Sequence, residues 1–262
     1  MKKIFVLILA SSSLVSCMKE VDEIKVNNDF SSVAFINASP TNTAGATSGN
    51  VFVDNFVQSG TAVGYRGTTG YLSVKPGTRQ VRYVSTATDS AKFVDLSAEN
   101  FESGRAYTYI VYDTLAVGNR KLRSLRLTDD LTLPDSKVSL AKVRFLHLAP
   151  NGPAVDITFL RTNNPVGAPV ADSVTITNRT YVGANPTQAQ LDELSKFNIM
   201  LPLGFAGTYT VKVKAAGTQN LLVPATTVAL TTNALNQSIN TVYLTGSAQG
   251  QALGLGFFRH YP

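Results

Sequence analysis

Val143-Arg144-Phe145-Leu146-His147-Leu148-Ala149-Pro150 repeats, 110 residues further along the chain, the pattern of Val33-Ala34-Phe35-Ile36-Asn37-Ala38-Ser39-Pro40. A second match joins Gly77-Thr78 to Gly207-Thr208 at an offset of 130. Matches that follow one another in the same order along a chain indicate an internal repeat. The sequence therefore predicts two copies of one domain, which together take up most of the chain.

The N-terminus carries the features of an export signal. Lys2 and Lys3 precede a short apolar run at 4–10, and small residues follow it. The run is too short for a membrane-spanning helix, which needs about 20 apolar residues. Leu14-Val15-Ser16-Cys17 resembles the lipobox of bacterial lipoproteins, and this resemblance implies that Cys17, the one cysteine of the chain, becomes the lipidated first residue of the mature protein.

Each predicted copy consists of short runs in which polar and apolar residues alternate. Tyr209-Thr210-Val211-Lys212-Val213-Lys214 is the clearest of these runs. Such runs suit a pleated sheet, and turn residues separate them at a spacing of about 8 to 12 residues, which is typical of antiparallel sandwiches. We therefore predict an all-β fold, with two tandem antiparallel immunoglobulin-like β-sandwich domains after a lipoprotein signal peptide.

The boundaries follow from the repeat and from the polar stretches around it. The predicted segments are a signal peptide at 1–16, a lipidated polar tether at 17–32, a first domain at 33–131, a linker at 132–140 and a second domain at 141–262. We expect the two copies to fold independently, with a boundary near Pro134, because the linker is polar and bears a proline.

The rise in offset from 110 to 130 predicts an insertion in the second copy, at about 161–203. Inside it, Asn185-Pro186-Thr187 precedes Gln188, a pattern with a candidate N-cap, a proline at N1 and a glutamine at N3. We expect the one sizeable helix of the chain here.

Aromatic residues of the repeated runs are the predicted core. Tyr109 matches Tyr243 at an offset of 134, and Phe35 matches Phe145 at an offset of 110. All four are expected to fill the interiors of the two sandwiches, whereas Tyr65, Tyr71 and Tyr181 lie in stretches rich in glycine or asparagine. These last three are the candidate binding residues, because an exposed tyrosine offers an apolar ring together with a polar hydroxyl.

Composition bounds the class of protein and its partners. Of 262 residues, 44% are hydrophobic and 15% charged, which is typical of a globular chain rather than a disordered one. The formal net charge is +6, and the positive residues are scattered along strand-like runs. We expect them on solvated sheet faces, and we expect no nucleic-acid partner.

Both predicted copies resemble a bacterial family labelled as a domain of unknown function, DUF4397. In the second copy the resemblance is carried by Ala149-Pro150-Asn151-Gly152-Pro153-Ala154-Val155-Asp156-Ile157. In the first copy it is carried by Ala38-Ser39-Pro40 and by Val51-Phe52-Val53-Asp54-Asn55, which resembles the Val-Tyr-Val-Asp-Gly turn of the family. The resemblance implies an exported β-sandwich, often anchored at the cell envelope, and it implies no activity.

No catalytic constellation is recognisable in the sequence. His147 and His260 are the two histidines, and we expect both to be satisfied structurally or to face solvent. We predict no metal site and no cofactor, because three or four clustered ligands are missing from the sequence pattern. In the alignment Asp156 has Asn50 as its counterpart and Asp54 has Leu160, so neither acid is shared by the copies.

We predict a lipid-anchored binding or scaffold module of the cell envelope that is not an enzyme. Its expected partners are the membrane, through the lipid anchor, and an envelope glycan or protein. An outer membrane location follows from Lys19 and the acidic residues after it, which resemble an outer-membrane sorting signal, and the cell surface and the periplasmic face both stay open. The alternatives are a purely structural surface spacer and a glycan hydrolase with an unrecognised carboxylate pair, for which the candidates are Asp54, Asp156, Glu99 and Glu102.

Three short motifs read Asp, then a hydroxyl residue, then an apolar residue. They resemble an O-glycosylation acceptor of bacterial exported proteins, and the candidate acceptors are Ser90, Thr114 and Ser173. Asp-Ser and Asp-Thr pairs are also ordinary turn chemistry, which is the alternative explanation.

Overall fold

The computed structural model describes residues 29–40, 48–85, 97–113, 122–133, 140–162, 173–202, 207–230, 237–246 and 252–261. The protein is mostly β, and these residues form sixteen strands and one helix. The elements are β1 (Ser31–Asn37), β2 (Gly49–Val53), β3 (Phe56–Val57), β4 (Thr68–Val74), β5 (Gly77–Ser85), β6 (Ser97–Phe101), β7 (Ala106–Tyr112), β8 (Arg123–Asp129), β9 (Leu140–His147), β10 (Val155–Arg161), β11 (Ser173–Arg179), α1 (Gln188–Ser195), β12 (Ile199–Pro202), β13 (Thr208–Ala215), β14 (Thr226–Ala229), β15 (Gln237–Thr245) and β16 (Gly254–Tyr261).

The strands form four sheets of four strands each. Sheet 1 has the order β3-β2-β5-β6 and sheet 2 the order β4-β1-β7-β8, and both come from the N-terminal half (β1–β8). Sheet 3 has the order β12-β9-β15-β16 and sheet 4 the order β11-β10-β13-β14, and both come from the C-terminal half (β9–β16). The strand order of the second half is that of the first with every number raised by eight. Most neighbours are antiparallel, but β1 pairs with β7 and β9 with β15 in parallel.

Three apolar layers separate the four sheets. The first lies between sheets 1 and 2 and contains Val51, Tyr83, Phe101, Phe35 and Tyr109. The second lies between sheets 3 and 4. Its members include Ile157, Phe159, Val211, Phe145 and Val242.

The third layer joins the two halves, and we call it the central layer. Its buried residues from sheet 2 and the segment after β1 are Ala34, Ile36, Ala38, Ile110, Tyr112, Leu125 and Leu127. Those from the C-terminal half are Leu146, Leu148, Val182, Tyr243 and Phe258. Sheets 2 and 3 are therefore covered on both faces, and every residue of β7 and β15 is buried. This explains why β7 is a continuous apolar and hydroxyl run and why β15 carries no charged residue, since polar-apolar alternation is lost where both faces of a strand are covered.

The central layer changes the expectation that the copies fold independently. Residues of both halves share one core there, and Leu131 and Leu133, on either side of the start of the predicted linker, pack against Phe197 and Ile239 of the C-terminal half. Pro134 itself lies outside the described residues.

One predicted core residue lies in a different layer. Phe35 is opposite Tyr109 in sheet 2, whereas Phe145 is opposite Val242 in sheet 3. The structural offset of β7 to β15 is therefore one residue smaller than the 134 of the sequence match. Because side chains alternate between sheet faces, a shift of one residue moves Tyr243 out of the sandwich interior and into the central layer.

The predicted helix exists, but it begins two residues later than the sequence pattern indicates. Thr187 is the N-cap, and its hydroxyl accepts a hydrogen bond from the backbone N–H of Gln190, while the Gln190 side chain accepts one from the backbone N–H of Thr187. Pro186 thus precedes the N-cap instead of occupying N1. The reciprocal bonds of this capping box favour Thr187, since they satisfy two backbone donors at once.

The tether boundary also moves, because Ser31 and Ser32 belong to β1. Across the described ranges, no helix is long and apolar enough to cross a membrane.

Candidate functional site

A cluster of polar side chains lies inside the central layer, and we call it the buried polar cluster. Six strands of sheets 2 and 3 each contribute one member, namely Tyr71, Thr108, Asp129, Arg144, Thr241 and His260. The side chains of Asp129 and His260 are 0% exposed and that of Arg144 is 1% exposed. Charged groups at such depth persist only when they are paired and hydrogen-bonded.

Arg144 reaches across the junction of the halves from β9. Its Nη1 lies 2.7 Å from Oδ1 of Asp129 at the end of β8, an ion pair that is too poorly aligned to count as a hydrogen bond. Its Nη2 donates to Oγ1 of Thr108 and its Nε to Oγ1 of Thr241, both at 2.7 Å. The guanidinium carbon also lies 4.6 Å from the ring centre of Phe197. One arginine therefore binds both central sheets.

The hydrogen bonds fix the positions of the protons. Oδ2 of Asp129 accepts hydrogen bonds from the hydroxyls of Tyr71 and Thr108, both at 2.7 Å. Each of these hydroxyls has one proton, so neither can donate a second hydrogen bond. Nδ1 of His260, 2.6 Å from the Tyr71 oxygen, must then be the donor of that contact. Nε2 of His260 accepts from Thr241 at 2.6 Å. His260 is thus a neutral imidazole protonated at Nδ1, and each hydroxyl of the cluster both donates and accepts.

Burial sets the acid-base properties of this cluster. It lowers the pKa of His260 to about 3, with nearby Arg144 acting in the same direction and Asp129 opposing it. Burial, followed by the charge of Asp129, raises the pKa of Tyr71. The charged and imidazole groups of the cluster are closed to solvent, and Arg144 compensates the charge of Asp129, so the cluster forms a joint between the two halves.

A second polar seam joins the segment between β11 and α1 of the C-terminal half to the N-terminal half. The hydroxyl of Tyr112 donates to the carbonyl of Gly183 at 3.0 Å. Arg123 pairs with Asp113 at 2.6 Å and donates to the carbonyl of Ala184 at 2.8 Å. This segment, which belongs to the predicted insertion, therefore fastens the halves together along β7 and β8.

The three candidate binding tyrosines have different surroundings. Tyr71 is half-buried, and its hydroxyl belongs to the buried polar cluster. Tyr181 is half-buried and packs edge-on against the rings of Tyr112 and His147. Tyr65 is half-buried and lies 4.9 Å from the guanidinium of Arg66. Two of the three thus contribute to the joint between the halves, and their role in ligand binding stays a prediction.

The acidic side chains proposed for a hydrolase are engaged in structural contacts. Asp54 accepts from the backbone N–H of Gln80 and pairs with Arg79, both at 3.0 Å, and the Gln80 bond is the main cause of its lowered pKa. Asp156 accepts from the backbone N–H groups of Asn178 and Gly217, both at 2.8 Å, and these bonds lower its pKa.

Glu99 and Glu102 pair with Arg126 and Arg105 at 3.3 and 2.6 Å. Each of the four acids therefore has a structural partner. In the part of the chain that the structure describes, no three His, Cys, Asp or Glu side chains are grouped as a metal site would require.

His147 closes the turn after β9. Its Nδ1 accepts from the backbone N–H of Ala149 at 3.3 Å, so its Nε2 carries the proton and donates to the carbonyl of Pro153 at 3.0 Å. Burial lowers its pKa. His147 is therefore satisfied within the segment that carries the family resemblance.

The modification candidates lie mostly beyond the described ranges. Cys17, Ser90 and Thr114 fall outside them. Ser173 is exposed at the first residue of β11. Its modification stays a prediction.

Sequence reasoning missed the buried polar cluster, although one signal points to it. Arg144 stands in an otherwise apolar run where the first copy has Ala34. A charge at such a position in a run that is apolar on both faces indicates a buried partner of opposite sign. That partner, Asp129, lies just before the predicted linker, where an acidic residue suggests only solvent.

Comparison with known proteins gives one match to a family model, over part of the chain. Residues 31–158 match the family described as "Domain of unknown function (DUF4397)", from the first residue of β1 into β10. No curated protein matches. Among solved structures, a leucine-rich repeat protein from Bacteroides thetaiotaomicron VPI-5482 is 12% identical, with a TM-score of 0.20. The alignment covers 86% of this chain and 26% of that one, and a TM-score this low carries no argument about the fold.

Proposed function

We propose that this protein is a lipid-anchored binding or scaffold module of the cell envelope, held in the outer membrane through Cys17. Its ligand class is an envelope glycan or protein. We further propose that its two halves are tandem copies of one immunoglobulin-like β-sandwich domain, docked face to face through the central layer.

The strand registers support the tandem arrangement. Asn50 lies opposite Val84 in sheet 1, and Asp156 lies opposite Lys214 in sheet 4. Val84 and Lys214 are 130 residues apart, the same offset that joins the two Gly-Thr turns in the sequence. This equal offset supports the sequence alignment of Asn50 with Asp156.

One observation favours a binding or scaffold role over catalysis. Within the described ranges, both histidines and two of the candidate acids are bound into the architecture: His147 closes a turn, His260 joins the halves, and Asp54 and Asp156 hold backbone N–H groups. An acid or base for catalysis must instead reach the reacting atoms of a substrate. A stack of four sheets with filled interiors suits a rigid body that presents its outer faces.

The anchor is the part of this proposal that is tested most directly. Cells expressing the full chain are labelled with a tagged fatty acid and fractionated. The wild-type protein should be labelled and sediment with membranes, while Cys17→Ser should be unlabelled and soluble. A wild-type protein that is cleaved after Ser16 but carries no label would overturn the anchor.

A further inference from the structure

The point where the chain enters the fold is well defined. Ser31, the first residue of β1, lies opposite Val74, the last residue of β4. The backbone N–H of Gly104 donates to the carbonyl of Phe30 at 3.0 Å, and Gly77, at the start of β5, lies opposite Phe101. The starts of β1, β5 and β7 therefore share one end of the N-terminal half, which we call the tether end.

The β2–β3 hairpin points toward the tether end. Val53 pairs with Phe56 across a two-residue turn, in which Asp54 and Asn55 have φ of 49° and 69°. Positive φ at both positions is the mark of a type I′ turn, which Asp and Asn tolerate. The backbone N–H of Asp54 donates to the carbonyl of Gln80 at 2.9 Å. The turn is thus level with a residue three positions from Gly77, roughly 10 Å along the strand.

The strand that follows the polar turn, β3, consists of two exposed apolar residues. Phe56 is 73% exposed and Val57 is 54% exposed. They are the most exposed large hydrophobic residues among the described parts of the chain, and β3 is the edge strand of sheet 1. Fully burying a side chain such as Phe or Val contributes about 1.5–3 kcal/mol.

The length of the tether limits the distance between the tether end and the bilayer that holds the lipid. Phe30 lies thirteen positions after Cys17 along the chain. A chain of that length spans at most about 45 Å in any conformation. A lipid on Cys17 therefore keeps the tether end close to the bilayer that holds the lipid.

We propose that the β2–β3 hairpin is a second membrane contact, in which Phe56 and Val57 insert into the interfacial region of that bilayer. This inference rests on the proposed lipid anchor for its geometry. The contact adds an apolar attachment to the acyl chains and fixes which end of the stack faces the lipid, since lipid attachment alone leaves the body free to rotate about its tether.

The charges around the tip predict no strong preference for anionic lipid. Arg79 is paired with Asp54 at 3.0 Å and Arg105 with Glu102 at 2.6 Å. Lys75 adds one exposed cation. We therefore expect the hairpin to bind a zwitterionic surface, driven by apolar burial.

The absence of tryptophan from the chain allows a direct test. The full-length protein is expressed in cells, purified from membranes with Phe56→Trp, and reconstituted into phosphatidylcholine vesicles with brominated acyl chains. The matched control is Leu221→Trp. Leu221 is 48% exposed and lies opposite Lys214 near the end of β13.

The control position lies at the other end of the stack. β13 ends where β10 begins, just beyond the end of β9, and β9 ends beside β15. The hydroxyl of Thr245, the last residue of β15, donates to the carbonyl of Ala38, just past β1. β13 therefore ends at the end of the stack opposite the tether end.

The tryptophan at position 56 should emit at shorter wavelength and be quenched by the brominated lipid, whereas the one at position 221 should not. Equal quenching at both positions, or none at position 56, would overturn the proposal.

A second arm separates this contact from the anchor. The Cys17→Ser protein is mixed with preformed phosphatidylcholine vesicles, and Phe56→Ser should weaken its partition by about tenfold while Leu221→Ser leaves it unchanged. Unchanged thermal melts show that both variants fold. If instead the Cys17→Ser protein is a dimer that does not bind vesicles, and Phe56→Ser makes it monomeric, the hairpin binds a second copy of the chain. The proposal is then wrong. Whether Cys17 is acylated is measured separately, from the mass of the wild-type protein. The result of this second arm does not depend on that acylation.

Discussion

At the scale of single residues, the sequence identifies the chemical groups but not their partners. The sequence predicts that His147 is satisfied structurally, and both of its ring nitrogens are hydrogen-bonded within its own turn. The burial of His260 is harder to predict from the sequence, because its hydrogen-bond partners come from β4 and β15. Its position near residue 262 indicates nothing about burial. A partner distant in sequence leaves no local pattern, so the buried polar cluster required the three-dimensional structure.

Removing one charge of the cluster should be costly. Asp129→Asn leaves Arg144 buried without a counter-charge, and breaking such a pair typically costs about 3–5 kcal/mol. Glu102→Gln is the matched control, since its pair with Arg105 is 53% and 58% exposed and should contribute less than about 1 kcal/mol. Urea unfolding measures both variants. Equal free energies of unfolding for the two would contradict the closed cluster.

His260 should make the protein sensitive to acid. Its pKa is about 3 in the folded protein and about 6.5 when unfolded, so the unfolded chain binds the extra proton between these values. Stability is then complete above pH 6.5 and falls by up to about 1.4 kcal/mol per pH unit as the pH drops toward 3. His260→Gln should show a shallower fall in urea unfolding between pH 6.5 and 4. Parallel curves for the two proteins would mean that His260 is not buried as a neutral ring.

At the scale of strands and the helix, alternation predicts the outer strands well and the central ones less well. β13 alternates in sequence and in burial. β7 and β15 are buried at every residue, so the sequence lacks the period that would fix their faces. For this reason the sequence match of Tyr243 with Tyr109 differs by one residue from the structural register. The helix was predicted correctly because capping is local, although the exact cap depends on reciprocal hydrogen bonds.

Tyr243 explains why β16 carries a glycine at position 256. A Cβ built on Gly256 would lie 2.1 Å from the ring of Tyr243, which is 0% exposed and cannot move aside. Gly256→Ala should therefore destabilise the protein by at least about 1–3 kcal/mol. Gly60→Ala is the control, because a Cβ there meets nothing within 4 Å. Thermal unfolding compares them, and a harmless Gly256→Ala would show that the strand or ring has room to shift.

At the scale of the whole molecule, the sequence predicts the repeat but not its docking. The offsets of 110 and 130 predict two copies and an insertion, and in the structure the two halves have the same order of strands. Nothing in a repeat says whether its copies touch. The contact appears only when the second faces of sheets 2 and 3 are seen to meet, with residues such as Ile36, Ile110 and Leu146 buried between them.

Separating the halves would expose the central layer. Each fully buried side chain of the size of Ile or Leu contributes about 1.5–3 kcal/mol, as an upper estimate. Domains are stable by only about 5–15 kcal/mol, so uncovering even a few such residues removes much of that margin. The two halves are therefore expected to unfold as one cooperative unit, despite the polar stretch between them.

Calorimetry of the chain carrying Cys17→Ser tests most directly whether the two halves unfold as one cooperative unit. The account predicts a single heat-absorption peak, with a ratio of calorimetric to van't Hoff enthalpy of about 1. Two resolved transitions, or a ratio of about 2, would show that the halves melt separately and would contradict the joint formed by Arg144, Asp129 and the central layer.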